Sequence, residues 1–403
     1  MKKIFFGNFS IIIAIILGIV CGLFNNSFIT EVANSISTVF LKILQLIGVP
    51  IVFLSLISNI GGMNDFNEMK TLGKKIFFYA ILTTLIAASI ALITFLIIDP
   101  TNSIETDNIL SLDKNGSYLS FLIDAVPDNF FKAFVNNNII SVAILGMVFG
   151  LAILFLPKKN KDTLNHFFSS FFLLFLKVTK FIISIIPIGV FAFVLLFVQE
   201  FKQNSASLKD LMIYTICVVS ANLIQGFIVL PIFLKIKKIP VIRTFKGMLP
   251  ALMTAFFTKS SNAALPITIK CAEENLNVSH KNANVVHSLG SVINMNACAG
   301  FILITVLFVA KSMGATFSIF QMIMWIFLAT LAAIGNAGVP MGCYFLTSAF
   351  LTSMNVPLYI MGLILPIYTI LDMLESSLNV WSNSCVCVVI DKEIKEEILP
   401  EFE

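Results

Sequence analysis

A chain of 403 residues that is 58% hydrophobic and 12% charged, with mean hydropathy +0.96, carries about half the charge expected of a soluble domain. That composition excludes a water-soluble globular protein, and a net charge of +4 gives no reason to expect a nucleic-acid partner. Apolar runs near the roughly 20 residues that cross a bilayer recur along the whole length, so the fold class is an all-α integral membrane protein in contact with lipid.

Taken in order, apolar length predicts spans at about 8–24, 37–60, 75–99, 134–156, 168–198 and 211–234, with kinks at Pro50 and Pro187. Residues 100–133 read as the longest exposed loop. Basic clusters at Lys2/Lys3, Lys70/Lys74/Lys75, Lys158/Lys159/Lys161 and Lys235–Lys246 fall at alternate gaps. The positive-inside rule then gives a multi-pass protein of the cell (inner) membrane with a cytoplasmic N-terminus and an uncleaved first helix. Seven cysteines and three histidines (His166, His280 and His287) show no metal-ligand spacing. The cysteines read as small core residues and no cofactor is expected.

Beyond residue 234 the texture changes. Ser261-Asn-Ala-Ala-Leu-Pro266 returns as Gly335-Asn-Ala-Gly-Val-Pro340, each time inside an apolar stretch. The arms around these motifs, near 248–275 and 318–354, are too short to span singly and predict two re-entrant hairpins, the first with arms of about 10–12 residues leaving from Pro266. Each is followed by a span with polar residues: 283–311 with Asn294-Met-Asn296, and 356–390 with Asp372, Glu375, Ser376, Asn379 and Asn383 on one stripe. Hairpin then polar span, twice over, is an internal repeat, and paired interrupted segments point to a transporter's binding site.

A carboxylate at mid-membrane costs about 2.5–3.5 kcal/mol, so Asp372 and Glu375 need a purpose. Asp372 suits an ammonium group. Ser260, Ser261 and the amides before Pro266 suit a carboxylate, and Asn294, Asn296, Asn379 and Asn383 offer neutral oxygens for sodium. Arg243 is the sole arginine and lies in a basic loop, so no arginine is available to hold a substrate's second carboxylate. Lys259 either serves a hairpin tip or snorkels to water.

Thr258-Lys-Ser-Ser-Asn-Ala-Ala-Leu-Pro-Ile-Thr268, Asn294-Met-Asn296, Ala333-Ile-Gly-Asn-Ala-Gly-Val-Pro340 and Asp372-Met-Leu-Glu-Ser-Ser-Leu-Asn-Val380 resemble the signature blocks of the glutamate transporter family, the dicarboxylate/amino acid:cation symporters. The resemblance implies eight transmembrane helices plus two re-entrant hairpins in inverted repeats. It also implies a homotrimer working as an elevator, with scaffold spans 8–61 and 134–200 and a transport domain of 72–99 and 207–390. It implies an amino-acid site at Ser260, Ser261, Cys298 and Val339 together with Asp372, Glu375, Ser376 and Asn379. Sodium sites would fall at Gly290, Asn294, Asn379 and Asn383; at Asn294, Asn296, Thr83 and Thr84; and at Met295, Ile334 and Asn336.

Two departures bear on substrate. Acidic-substrate members carry arginine where Glu375 stands and aspartates where Asn296 and Asn383 stand. The expected function is therefore sodium-coupled import of a neutral polar amino acid such as serine or threonine. Proton coupling, acidic substrates and cationic substrates are alternatives within the class. A channel or a non-transporting nutrient sensor is the alternative outside it. An enzyme built on Ser260 or Ser261 with Lys259 as base lacks a nearby His or Asp partner, and a non-enzyme is expected.

Overall fold

The computed structural model of the chain describes residues 2–24, 26–62, 66–101, 127–135, 139–203, 206–336 and 341–398, and the regular elements among them are all helical. They are α1 (Lys2–Leu23), α2 (Ser27–Gly61), α3 (Phe66–Ile98), α4 (Phe130–Val135) and α5 (Ile139–Leu154). There follow α6 (Lys158–Gln203), α7 (Ala206–Ile224), α8 (Leu230–Ile236), α9 (Val241–Thr258) and α10 (Ser261–Leu276). The last five are α11 (His280–Ile293), α12 (Asn296–Ser312), α13 (Ile319–Gly335), α14 (Gly342–Ser353) and α15 (Tyr359–Ile398). The expected spans fall on α1, α2, α3, α5, α6, α7 with α8, α11 with α12, and α15. Among the described residues, five stretches are long and apolar enough to cross a bilayer. Both Pro50 and Pro187 lie inside continuous helices.

Several boundaries differ from the sequence expectation. Helices α6 and α15 run beyond their apolar middles, from Lys158 and to Ile398, because hydropathy registers only the part that prefers lipid. Within the expected outer loop, Phe130–Val135 is helical, while 102–126 lie outside the described residues. The expected single span at 283–311 is two helices, broken at Asn294 (φ −103°, ψ 71°) and Met295 (φ −110°, ψ 62°). The break near Ser261–Pro266 is shorter than expected. Only Lys259 and Ser260 separate α9 from α10, and Pro266 sits within α10, so the arms reach 18 and 16 residues. Lys259 ends α9 in the left-handed conformation (φ 54°), and Ser260 caps α10 by accepting from the Ala263 amide at 3.2 Å.

Two pairs of helices fold back on themselves. Asn275 Nδ2 donates to the Gly247 carbonyl at 2.7 Å, joining the end of α10 to the start of α9. Trp325 of α13 meets Phe350 of α14 edge-on at 5.3 Å, which sets these two helices side by side in opposite directions. Ser318 and Gln321 close a reciprocal cap that starts α13.

Helix α12 is the axis of the molecule: every residue in it except Lys311 is buried. Around it stand two apolar cores. One joins α2, α5, α6, α12, α13, α14 and α15 up to Leu371. The other joins α8, α9, α10, α11 and α15 from Leu378 onward. The polar stripe of α15 begins where the first core stops. Pro231, which has no amide hydrogen to give, follows a π turn at Gln225–Val229 between α7 and α8, in which the Leu230 amide reaches back to Gln225. At one end of the bundle Lys75 (3.2 Å) and Lys237 (2.7 Å) converge on Glu393, tying α3 and the segment after α8 to α15. Glu393, through that bond, holds the Lys237 ammonium above its ordinary range.

Candidate functional site

The break between α11 and α12 is what makes a site possible in so apolar a bundle. A helix interrupted at Asn294–Met295 leaves amides and carbonyls unbonded, and buried backbone must find partners. Asn379 of α15 answers one of them: its Oδ1 accepts from the Ala297 amide at 3.0 Å. Thr83 and Thr84 of α3 reach the same place. Thr83 Oγ1 lies 3.1 Å from Asn294 Oδ1 and 3.3 Å from Asn296 Oδ1, and Thr84 Oγ1 lies 2.8 Å from Asn296 Oδ1. Ser382 adds a hydroxyl at 3.3 Å from Asn294 Oδ1, and Gln225 donates to the Thr83 carbonyl at 3.3 Å. Thr83, Thr84, Asn294 and Asn296 thus meet at one place, with the asparagine oxygens already accepting from hydroxyls.

A second cluster surrounds a cavity of about 10 Å³, near the least that holds one water-sized particle. Ser261, Gly290, Asn294, Met295, Asn379 and Asn383 line it, drawing on α10, α11, the break and α15. Gly290 leaves room for this contact, since an added Cβ would stand 1.7 Å from Asn383 Oδ1 and push that side chain aside. That oxygen has no hydrogen-bond partner, and neither does Asn294 Nδ2. A buried, unpartnered carboxamide oxygen beside a water-sized cavity fits a small cation as cargo.

The third cluster lies on the stripe of α15. Asp372, Glu375, Ser376, Asn379 and Asn383 are all buried. Asp372 accepts from the Met341 amide at 3.3 Å, at the start of α14, where Met341 is left-handed (φ 60°). The Tyr368 hydroxyl stands 3.4 Å from Asp372 Oδ1 and 3.3 Å from Glu375 Oε2, bridging the two carboxyls. Glu375 Oε1 has no partner. Cys298, at the start of α12, is paired with Cys343, the second residue of α14. Asn336 Nδ2 lies 3.0 Å from Cys298 Sγ and 3.4 Å from Cys343 Sγ, and Asn379 Nδ2 lies 3.3 Å from Cys298 Sγ. Ile334 and Asn336 are buried at the end of α13, and Val339 lies outside the described residues. At the first tip Ser260 and Ser261 are buried, and Lys259, half-buried, faces Asp372 closely enough for their charges to interact.

Sequence reading missed three participants. Tyr368 lies one turn before Asp372 on the same stripe, and i−4 spacing was the available signal. His287 is fully buried two turns before the break, with Asn383 Nδ2 3.2 Å from its carbonyl and 3.4 Å from its Nδ1. Cys343 was set aside with the scattered cysteines, because a partner 45 residues away leaves no local pattern.

Residues 8–393 match the sodium:dicarboxylate symporter family. The chain is 25% identical over 395 residues to a proton/sodium-glutamate symport protein of Geobacillus stearothermophilus, covering 95% of this chain and 93% of that one. It is 28% identical over 268 residues to the neutral amino acid transporter B(0) of Mus musculus, covering 66% and 48%. It is 29% identical over 263 residues to a putative sodium-dependent excitatory amino acid transporter of Caenorhabditis elegans, covering 65% and 52%. The chain thus spans about half the length of these animal relatives and nearly all of the bacterial one.

Proposed function

Because the chain belongs to the sodium:dicarboxylate symporter family, we propose that it imports a neutral polar amino acid, with serine and threonine as first candidates, coupled to an inward sodium gradient. The family is one of transporters and not of enzymes, and the long apolar helices make this a multi-pass membrane protein. One observation carries the substrate reading: Glu375 is buried one turn from Asp372 with an unpartnered oxygen. A substrate carboxylate arriving there would meet two carboxyls and no arginine, at a place where low dielectric magnifies repulsion. The neutral amino acid transporter B(0) among the relatives is in keeping with that preference.

In this reading Asp372 takes the substrate ammonium, Ser261 and Asn379 take its carboxylate, and the side chain points toward Cys298, Ser376 and Glu375. Sodium travels in the cluster of Gly290, Asn294 and Asn383 and in that of Thr83, Thr84 and Asn296. We read the molecule as eight spans and two re-entrant hairpins, trimeric, with 8–61 and 134–200 as scaffold and 72–99 and 207–390 as the moving domain. The close packing of α1 and α2 on α6 supports the scaffold. A cleft of about 1070 Å³ supports the sliding boundary: Leu56 and Met147 line one side, and Phe77, Leu85, Val292 and Ile334 the other. The convergence of Lys75 and Lys237 on Glu393 supports a common cytoplasmic side for those basic clusters, in an inner-membrane protein with its N-terminus inside.

A cationic amino acid is the second reading, favoured by the unpartnered Glu375 oxygen. A proton as the coupling ion is the third, in keeping with the Geobacillus relative's name. Uptake into proteoliposomes under imposed sodium or proton gradients, across neutral, acidic and cationic amino acids, tests all three. Sodium-driven serine or threonine uptake with weak aspartate uptake is the expected result, and Glu375→Arg should reverse that preference. Strong aspartate uptake by the unaltered protein, lost in Glu375→Arg, would overturn the substrate assignment.

A further inference from the structure

Two cysteine sulfurs, joined to each other in this structure, and a carboxyl are buried together inside a membrane protein, a donor set that sodium binding does not require. We propose that, with its sulfurs reduced, Cys298, Cys343 and Glu375 bind a soft divalent cation of the zinc type at the side-chain end of the substrate cleft.

The three residues come from three elements, the first turns of α12 and α14 and the middle of α15, and one ligand atom from each lies within 4.8 Å of the others. Each is no more than 2% exposed. The Cα atoms of the two cysteines are 5.6 Å apart. That spacing lets both sulfurs turn toward one point at the roughly 2.3 Å usual for zinc–sulfur bonds. Glu375 Oε1 is buried in this cluster without a hydrogen-bond partner, while Oε2 is steadied by the Tyr368 hydroxyl. A ligating carboxylate held by an outer hydroxyl is the usual arrangement around bound metal. Asn336 completes the surroundings. Its amide nitrogen faces both sulfurs, and its Oδ1, also without a partner, is the fourth donor if the carboxamide turns over.

Chemistry selects the ion. Two soft thiolates beside one carboxylate carry three negative charges, and the thiolates favour zinc or cadmium over sodium, magnesium or calcium. Binding releases the thiol protons. Disulfide and metal are mutually exclusive states of the pair, so metal loading belongs to the reduced protein.

The test uses the full chain, purified and reduced with a phosphine, and titrated with Cd²⁺. One equivalent per chain should bind with an ultraviolet thiolate-to-metal charge-transfer band. Cys298→Ser and Cys343→Ser should each abolish the band, and Glu375→Gln should weaken affinity by more than the roughly 10–100-fold that loss of an outer partner costs. In the unaltered protein, Cd²⁺ should protect Cys298 and Cys343 from maleimide labelling, mapped by mass spectrometry, which keeps the test decisive if a variant fails to fold. No band in the reduced protein, a band unchanged by either serine substitution, or a pair that resists reduction would each overturn the site. Neither readout involves uptake, so a failed transport assignment and a failed metal site remain distinguishable.

Discussion

The two folded-back helix pairs look alike in sequence and are held quite differently. The α9–α10 pair belongs to the core built with α11 and the second half of α15, is pinned at its base by Asn275 and Gly247, and is capped at its tip by Ser260. The α13–α14 pair belongs to the other core, where α14 packs on α12 and α2. Its turn offers the Met341 amide to Asp372 and brings Asn336 against the backbone of Gly342. The first pair presents side-chain hydroxyls on a fastened frame, and the second presents backbone and sulfur. Disturbing the first should therefore cost stability, and disturbing the second should cost transport.

Gly342→Ala should have the largest effect. Its Cβ would fall 1.6 Å from Asn336 Oδ1, so Asn336 must leave the cluster, and uptake should drop at least about tenfold with helical content by circular dichroism unchanged. A variant that transports normally would dissolve the distinction between the pairs. Gly290→Ala, beside the first pair, forces Asn383 aside in the same way. It should cost about 1–3 kcal/mol in thermal unfolding and raise the sodium concentration needed for half-maximal uptake. Ser260→Ala removes a cap and should cost about 1 kcal/mol, restored by Ser260→Asp. Asn275→Ala should cost about 1 kcal/mol or less and leave uptake selectivity untouched. The smallest effect is expected from Lys259→Gly, which relieves a left-handed, half-buried non-glycine residue and should stabilise by about 0.5–1 kcal/mol.

The stripe from Asp372 to Asn383 was legible because a helix reports its buried face through 3.6-residue spacing, and polar residues at that spacing in an apolar run are conspicuous. The spans were legible through length and hydropathy, and the family through four short blocks. What escaped had no local period. The break at Asn294–Met295 is made without proline or glycine, one amide beside it, that of Ala297, being satisfied by Asn379 of α15, 82 residues away. The tight turn at Lys259–Ser260 was misjudged because Pro266 looked like the breaker, while the helix accommodates it within α10. The Cys298–Cys343 pair and the hold of Tyr368 on two carboxyls are products of tertiary packing alone.

The π turn at Gln225–Val229 carries a consequence for tolerance to insertion and deletion. A wide turn holds one residue more than a regular helix needs, and here the surplus has work to do. It frees the Gly226 carbonyl to take the Trp381 indole at 2.9 Å, and Gln225 to reach the Thr83 carbonyl. Removing a single residue there would let the helix heal into regular α-geometry with α8 still in register, because the residue lost is the one the wide turn had absorbed. Lys237, just beyond, would keep its alignment with Glu393. A one-residue deletion in this stretch, where Phe227 and Ile228 are exposed, should therefore be felt at the Trp381 and Thr83 contacts and spare the charged end of the bundle, while substitutions at the same two exposed positions pass unnoticed.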